Sequence, residues 1–310
     1  MNNNILTEYS DKILTITLNR PEKLNALSPN LLQELKAELD EASTNDAISV
    51  VIIKSTGRAF CVGYDLNEEN WITSQYPANY PKGIDIELDK KDIMALLDYW
   101  IEVWKFPKPI ICQVQGACLS GAGELLAVSD IVIASKKATF GHPAGRDLGI
   151  PPTVFFWPLT IGMRKTKEML YTAKSMDADE AEKLGLINQA VNPDNLESKT
   201  RNLALNIAKT PVNHLMILKK ATNNFYDNMI VRITSGKGTG QFRTITNYTG
   251  ATRTATISPD WDANLVPDQT SVYTVFPAVT ITSSDSSTPA SAAVSKITGG
   301  VIEEVIVYVA

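Results

Sequence analysis

Two glycine-containing turns hold the residues best suited to chemistry. The run GRAFCVGYDL (57–66) follows the apolar segment SVVIIK, and QGACLSGAGELLAVSDIVIA (115–134) gathers small residues just ahead of a helix expected to begin near Gly121. Small residues let backbone approach a ligand closely. Where such a turn meets a helix N-terminus, unpaired N–H groups and the positive end of the helix dipole point outward, a setting that can hold a developing oxyanion. Glu124 lies three residues into that helix, on the face above the same opening. An acid/base beside an anion site is the chemistry this spacing suggests; the plainer alternative is a solvated glutamate that complements the helix dipole.

The elements that must position these residues alternate. KILTITL and SVVIIK read as strands, and Ser28-Pro29 supplies an N-cap and a first-turn proline for a helix with Leu31, Leu32, Leu35 and Leu39 on one stripe. PIICQVQG and DIVIAS read as further strands, and beyond Thr153 the pattern becomes mostly helical, in PDNLESKTRNLALNIAKT and PVNHLMILKKATNNF. Alternation of this kind implies an α/β layered fold. Composition then changes near residue 229: fourteen threonines fall in residues 1–229 and fourteen more in 230–310, a segment without Cys, His or Met. Its near-alternating pieces FRTITNY, TRTATIS, SVYTVF, AVTIT and EEVIVYVA predict a small all-β module over 230–310, behind a front domain over 1–229. Gly236-Lys237-Gly238-Thr239-Gly240 lacks phosphate-loop spacing and a following helix, so a β-turn is expected there.

Charge and cysteine content remove several functions. With Lys+Arg 29 against Asp+Glu 34 the net charge is -5, so neither nucleic acid nor an anionic membrane is an expected partner. Cys61, Cys112 and Cys118, with His142 and His214, offer no zinc spacing and no disulfide framework, which fits a reducing cytoplasm, and the three cysteines read as small buried residues. No bound metal is expected. The start, MNNNILTEYSDK, lacks a basic region followed by an apolar run, and ELLAVSDIVIAS is too short and too interrupted for a membrane span, so a cytoplasmic protein is expected.

NRPEKLNALS, FCVGYDL, GACLSGAGELLAVSDIVIAS and ATFGHPAGRDLGIPP, in that order and spacing, resemble the crotonase (enoyl-CoA hydratase/isomerase) superfamily over residues 5–228. The resemblance implies a spiral of repeated ββα units followed by helices, usually assembled as a homotrimer. It implies an acyl-coenzyme A thioester as substrate, no permanently bound cofactor, and an enolate whose oxygen is held by two backbone N–H groups. Here the donors would be those of Tyr64 and Gly121, while Lys23, Leu24, Ala26, Val62, Gly63 and Asp65 match the stretches that line the coenzyme A channel. Glu124 matches one of the two glutamates that a hydratase of the family uses to activate water. The other position, on which the family's isomerases generally rely too, holds Ala144, in Phe140-Gly141-His142-Pro143-Ala144, so the resemblance counts against ordinary hydratase activity and against the usual isomerase chemistry; Asp147 and His142 are the nearby groups that could substitute.

Crotonase chains normally continue with helices that close the acyl pocket. The segment after Asn228 instead resembles β-rich modules of tailed-phage structural proteins, in elements such as RITSGKGTGQ and SVY. Two functions follow: an acyl-CoA enzyme with an appended β-module, or a non-catalytic virion or assembly protein, virion-associated in location, that keeps the crotonase segment as scaffold.

Overall fold

The computed structural model describes residues 4–66, 86–154, 156–223, 230–249, 254–267, 270–276, 278–281, 290–298 and 301–308. By its contacts the chain divides into Met1–Lys220 and Ala221–Ala310. The joint expected from composition at 229–230 adjoins residues 224–229, which lie outside the described set.

The first unit begins with strands β1 (Ile5–Ser10) and β2 (Ile13–Leu18), helix α1 (Pro29–Thr44) and strand β3 (Val50–Ser55). Helix α1 starts where Ser28 and Pro29 predict: the Ser28 side chain accepts a hydrogen bond from Leu31 N at 3.2 Å, and Leu31, Leu32, Leu35 and Leu39 form its buried stripe. Its carbonyl end is capped from a distance. Lys108, 1% exposed, donates from Nζ to Ala42 O at 2.6 Å and Asn45 O at 2.8 Å. Those carbonyls have no helical partner, so the ammonium meets both an orphaned acceptor pair and the negative end of the helix.

Next come α2 (Ile86–Trp104), β4 (Ile110–Val114), β5 (Ala117–Leu119), α3 (Ala122–Val128), β6 (Ile131–Ser135), β7 (Thr139–Gly141) and α4 (Pro143–Leu148). The unit closes with α5 (Trp157–Thr160), α6 (Met163–Thr172), β8 (Met176–Asp177), α7 (Ala178–Leu184), β9 (Gln189–Val191), α8 (Leu196–Ile207) and α9 (Val212–Asn223). A six-stranded sheet runs β1-β2-β3-β4-β6-β9, with β1 antiparallel and the other neighbours parallel. Strands buried on both faces need continuous apolar runs, which VVII and IIC supply. One face packs Ile13, Val50, Ile52, Ile111 and Ile133 against Leu196, Ala204 and Ala208 of the α8 region. A second, small sheet, β5-β7-β8, carries the strand that leads into the Ser120–Gly121 turn. The α/β architecture expected from the alternation is therefore present.

The second unit contains β10 (Ile230–Ser235), β11 (Phe242–Thr249), β12 (Thr254–Ser258), β13 (Val272–Phe276), β14 (Ala278–Ile281), β15 (Ala290–Thr298) and β16 (Val301–Tyr308). They form two antiparallel sheets, β12-β11-β10-β13 and β14-β15-β16. The glycine-rich run between β10 and β11 is a hairpin turn, with Gly240 N donating to Ile233 O at 2.9 Å and Gly236, Gly238 and Gly240 all at positive φ. A Cβ at Gly236 would fall 2.1 Å from Thr270 O, so glycine is needed there for packing and not for phosphate. No helix among the described residues is long and apolar enough to cross a membrane.

Helix α9 is fastened to the large sheet by an ion pair whose lysine is buried and whose aspartate reaches the surface. Lys219, 6% exposed, donates from Nζ to Asp130 Oδ2 at 2.7 Å and to Lys108 O at 3.0 Å, and the same Asp130 oxygen accepts from Ile110 N at 2.7 Å. Burial pulls the Lys219 ammonium below its ordinary value, and Asp130 opposes that. Removing one partner strands a buried charge and a backbone donor. Asp130→Asn should thus lower stability in urea by about 3 kcal/mol, and adding Lys219→Met should return part of the loss. A double variant no more stable than D130N would show that the pair does not act as a unit.

Candidate active site

The turn after β3 is built by residues that do no chemistry themselves. Leu24 and Asn25 sit at φ 52° and 56°, a left-handed conformation that asparagine tolerates better than most residues. Asn25 is fully buried: its Nδ2 donates to Thr56 O at 2.8 Å and Ala59 O at 3.0 Å, and its Oδ1 accepts from Arg20 N at 2.8 Å. Arg20 in turn donates from Nη1 to Ala26 O at 2.6 Å and pairs through Nη2 with Asp65 Oδ2 at 2.9 Å. Asp65, expected along the coenzyme A channel, is a buried ion-pair partner that ties its turn to the 20–26 loop. Of the other residues expected along that channel, Lys23 is exposed at the end of a 3-10 turn, Ala26 is buried, and Leu24 and Val62 are half-buried.

Backbone bonds then bring the two glycine turns together. Leu27 N donates to Gly63 O at 2.8 Å and Asp65 N to Leu27 O at 2.9 Å, while Cys61 N donates to Ala117 O at 3.1 Å and Leu119 N to Cys61 O at 3.0 Å. Tyr64 is thereby held opposite Leu27, and Cys61 opposite Cys118 on β5. Gly63 lies at φ 105°, where a Cβ would stand 2.8 Å from Ser120 Cβ and 3.0 Å from Gly121 N. A Cβ on Gly121 would meet the Tyr64 ring at 2.8 Å. Both glycines are required by contact, and the residues of the two expected donors, Tyr64 and Gly121, pack on one another. The Tyr64 hydroxyl accepts from Trp100 Nε1 of α2 at 2.9 Å. Burial pushes that phenol well above its ordinary range, so it stays protonated.

Glu124 is 1% exposed, which removes the solvated alternative. Its Oε1 accepts from Thr153 N at 2.5 Å and its Oε2 from Val154 N at 2.9 Å. Burial pushes the carboxyl up from 4.5 to about 7, against the pull of those backbone donors and of the Thr153 side chain. A carboxyl balanced near neutrality can accept and return a proton at ordinary pH.

The remaining residues differ in exposure and partners. Ala144 is half-buried on α4, and Asp147 is exposed, paired with Arg146 Nε at 2.9 Å. His142 is 3% exposed, with Nε2 2.9 Å from Ile150 O. Cys61 and Cys112 are buried thiols pushed up to about 12, and burial likewise raises Cys118 well above its ordinary value, so none is a thiolate nucleophile. Among the described residues no cluster of His, Cys, Asp and Glu could hold a metal. Arg20, Asn25, Trp100, Thr153 and Val154 escaped the sequence reading. The positive-φ tolerance of Asn25, just after a proline-led turn, was the one available signal; backbone donors such as Thr153 and Val154 leave no trace in residue type.

A fold of this kind, with facing glycine turns and a buried carboxyl beside them, defines a class of enzyme-like α/β proteins, and comparison gives it a family. The enoyl-CoA hydratase/isomerase family model matches residues 8–245. The 1,2-epoxyphenylacetyl-CoA isomerase of Escherichia coli is 30% identical over 230 residues, covering 73% of this chain and 84% of that protein. The mevalonyl-coenzyme A hydratase of Aspergillus fumigatus is 34% identical over 200 residues, covering 64% and 69%. Among solved structures, an enoyl-CoA hydratase/isomerase from Xanthobacter autotrophicus superposes with a TM-score of 0.64 at 29% identity, covering 72% of this chain and 79% of that one. The chain belongs to the enoyl-CoA hydratase/isomerase family. Enzymes of this family act on coenzyme A thioesters and carry no permanent cofactor.

The carboxyl of Glu124 leaves a signature in stability. Its folded value, about 7, exceeds the ordinary 4.5, so the folded state holds the proton more tightly. The associated stabilisation is complete below the unfolded value and is lost as pH rises through about 7, at most about 3 kcal/mol by linkage. Urea unfolding of wild type should therefore weaken between acid and mildly alkaline pH by more than that of Glu124→Gln. Parallel pH dependences for the two proteins would place the titration elsewhere.

Proposed function

We propose that the protein moves a proton at the α-carbon of an acyl-coenzyme A thioester. In this reading the Gly121 and Tyr64 N–H groups hold the thioester oxygen, and Glu124 is the acid/base. The carboxylate takes the α-proton, the electron pair passes to the carbonyl oxygen as the enolate forms, and the protonated Glu124 returns the proton to carbon. The observation that carries it is the burial of Glu124 with both oxygens fixed, 1% exposed, beside packed glycine turns. With alanine at 144, hydration lacks a second carboxylate; neither the exposed Asp147 nor the enclosed His142 stands in for it in this proposal. Channel contacts are assigned to Lys23, Leu24, Ala26, Val62 and Gly63. The assembly proposed is a homotrimer, which light scattering of the full chain checks, with 230–310 a separate folding unit.

Incubation with a saturated acyl-CoA in deuterium oxide should exchange the α-protons, and Glu124→Gln should slow that exchange by about 10²–10⁴-fold. Because the base form is the carboxylate, the rate should rise with pH and level off above about 7. Crotonyl-CoA should bind in calorimetry yet hydrate slowly, and Ala144→Glu should raise hydration. No binding at millimolar ligand, or an unchanged rate in E124Q, would refute the proposal.

A further inference from the structure

The geometry points to His142 as the positioning residue that fixes the loop gripping Glu124, through its Nε2–H donated to Ile150 O. This deepens the proposed site and rests on that reading for its catalytic meaning. Ile150 begins the segment whose other end, Thr153 and Val154, supplies the two N–H groups on the Glu124 carboxyl. Few other bonds hold the near end of that segment: Ile150 N donates to Ala144 O at 3.2 Å, and Gly149, at φ 70°, ends α4. The imidazole supplies the carbonyl side, with Nε2 2.9 Å from Ile150 O. His142 is itself anchored, since Leu119 and Gly141 are parallel partners in β5 and β7 and Ser120 N donates to Gly141 O at 2.8 Å. The ring therefore spans from the strand end beside the Ser120–Gly121 turn to the loop that holds the acid/base.

Two features separate this role from proton transfer. A carbonyl acceptor on Nε2 fixes the neutral ring with its proton on Nε2, leaving Nδ1 as a bare acceptor, and Nδ1 is enclosed with no hydrogen-bond partner among the described residues. A relay needs a donor and an acceptor in line; the Nε2 bond ends on a backbone carbonyl, which passes no proton on, and the other polar group that bears on the ring is the Ser120 backbone. Leaving an acceptor buried and unmet is costly, which is tolerable where the other nitrogen makes a bond the loop depends on. Burial also holds the ring below its ordinary value, which keeps it neutral.

The test reads Glu124 directly, by carboxyl NMR of the full chain carrying isotope-labelled glutamate, with the resonance assigned through Glu124→Gln. His142→Phe, and His142→Leu should the larger ring not fit, remove the donor to Ile150 O; the loosened loop then gives up part of its two N–H bonds, and the Glu124 midpoint rises by about one pH unit. His142→Gln keeps an N–H donor and should stay within about 0.3 unit of wild type. A midpoint unmoved in the apolar variants, or moved as far in H142Q as in H142F, overturns the inference. The titration needs no turnover, so an inactive protein with these shifts would remove the proposed reaction and leave the strut standing.

Discussion

The proposed chemistry of this molecule depends on one carboxyl kept out of water. Burying a carboxylate is unfavourable unless donors replace its hydration, and here two consecutive backbone N–H groups, from Thr153 and Val154, take one oxygen each. Burial and donors pull the carboxyl in opposite directions, and burial wins by enough to bring it to about 7. Everything near the site then has a physical reason: α3 must start where Glu124 points inward, and the segment after α4 must present its N–H groups at the right depth.

That requirement explains why so much of the surrounding polarity is structural. Asn25 makes three bonds from a fully buried side chain, and Arg20 bridges Ala26 O and Asp65. Each closes a loop whose own backbone cannot pair within a sheet, and each leaves a costly orphan if removed. Lys108 and Lys219 do the same for helix ends farther away, one capping α1 and the other holding α9 to Asp130. A frame stapled this way is rigid where the turns face each other, and rigid support is what fixed donors require.

The strands and helices of the first unit were legible because their signals are local. Ser28-Pro29 starts α1, the SVVIIK run becomes β3, and the small residues before Gly121 lead into α3. Glu124 was legible as a candidate, but its burial was not, because the donors that permit it lie about thirty residues away in sequence and act through backbone. Asp65 was legible as part of a matching stretch, but its pairing with the guanidinium of Arg20 was not, because Arg20 lies 45 residues away in sequence. Asp147 and His142 could be named together only in sequence, since one side chain ends in solvent and the other is enclosed.

In the proposed site, alanine at 144 bears on how Glu124 behaves. Two carboxylates in one site split their titrations, because the first charge opposes the second. Among the described residues the influences on Glu124 are burial and hydrogen bonds, with no like-charged neighbour among them. Its balance near neutrality is thus set by burial against hydrogen bonds, and both protonation states are populated at ordinary pH. A single group of that kind suits reactions in which the proton taken from carbon is the one given back. Water addition asks for more: one group must draw a proton from water while the α-carbon receives another, and a lone carboxyl must serve both demands in a single transition state.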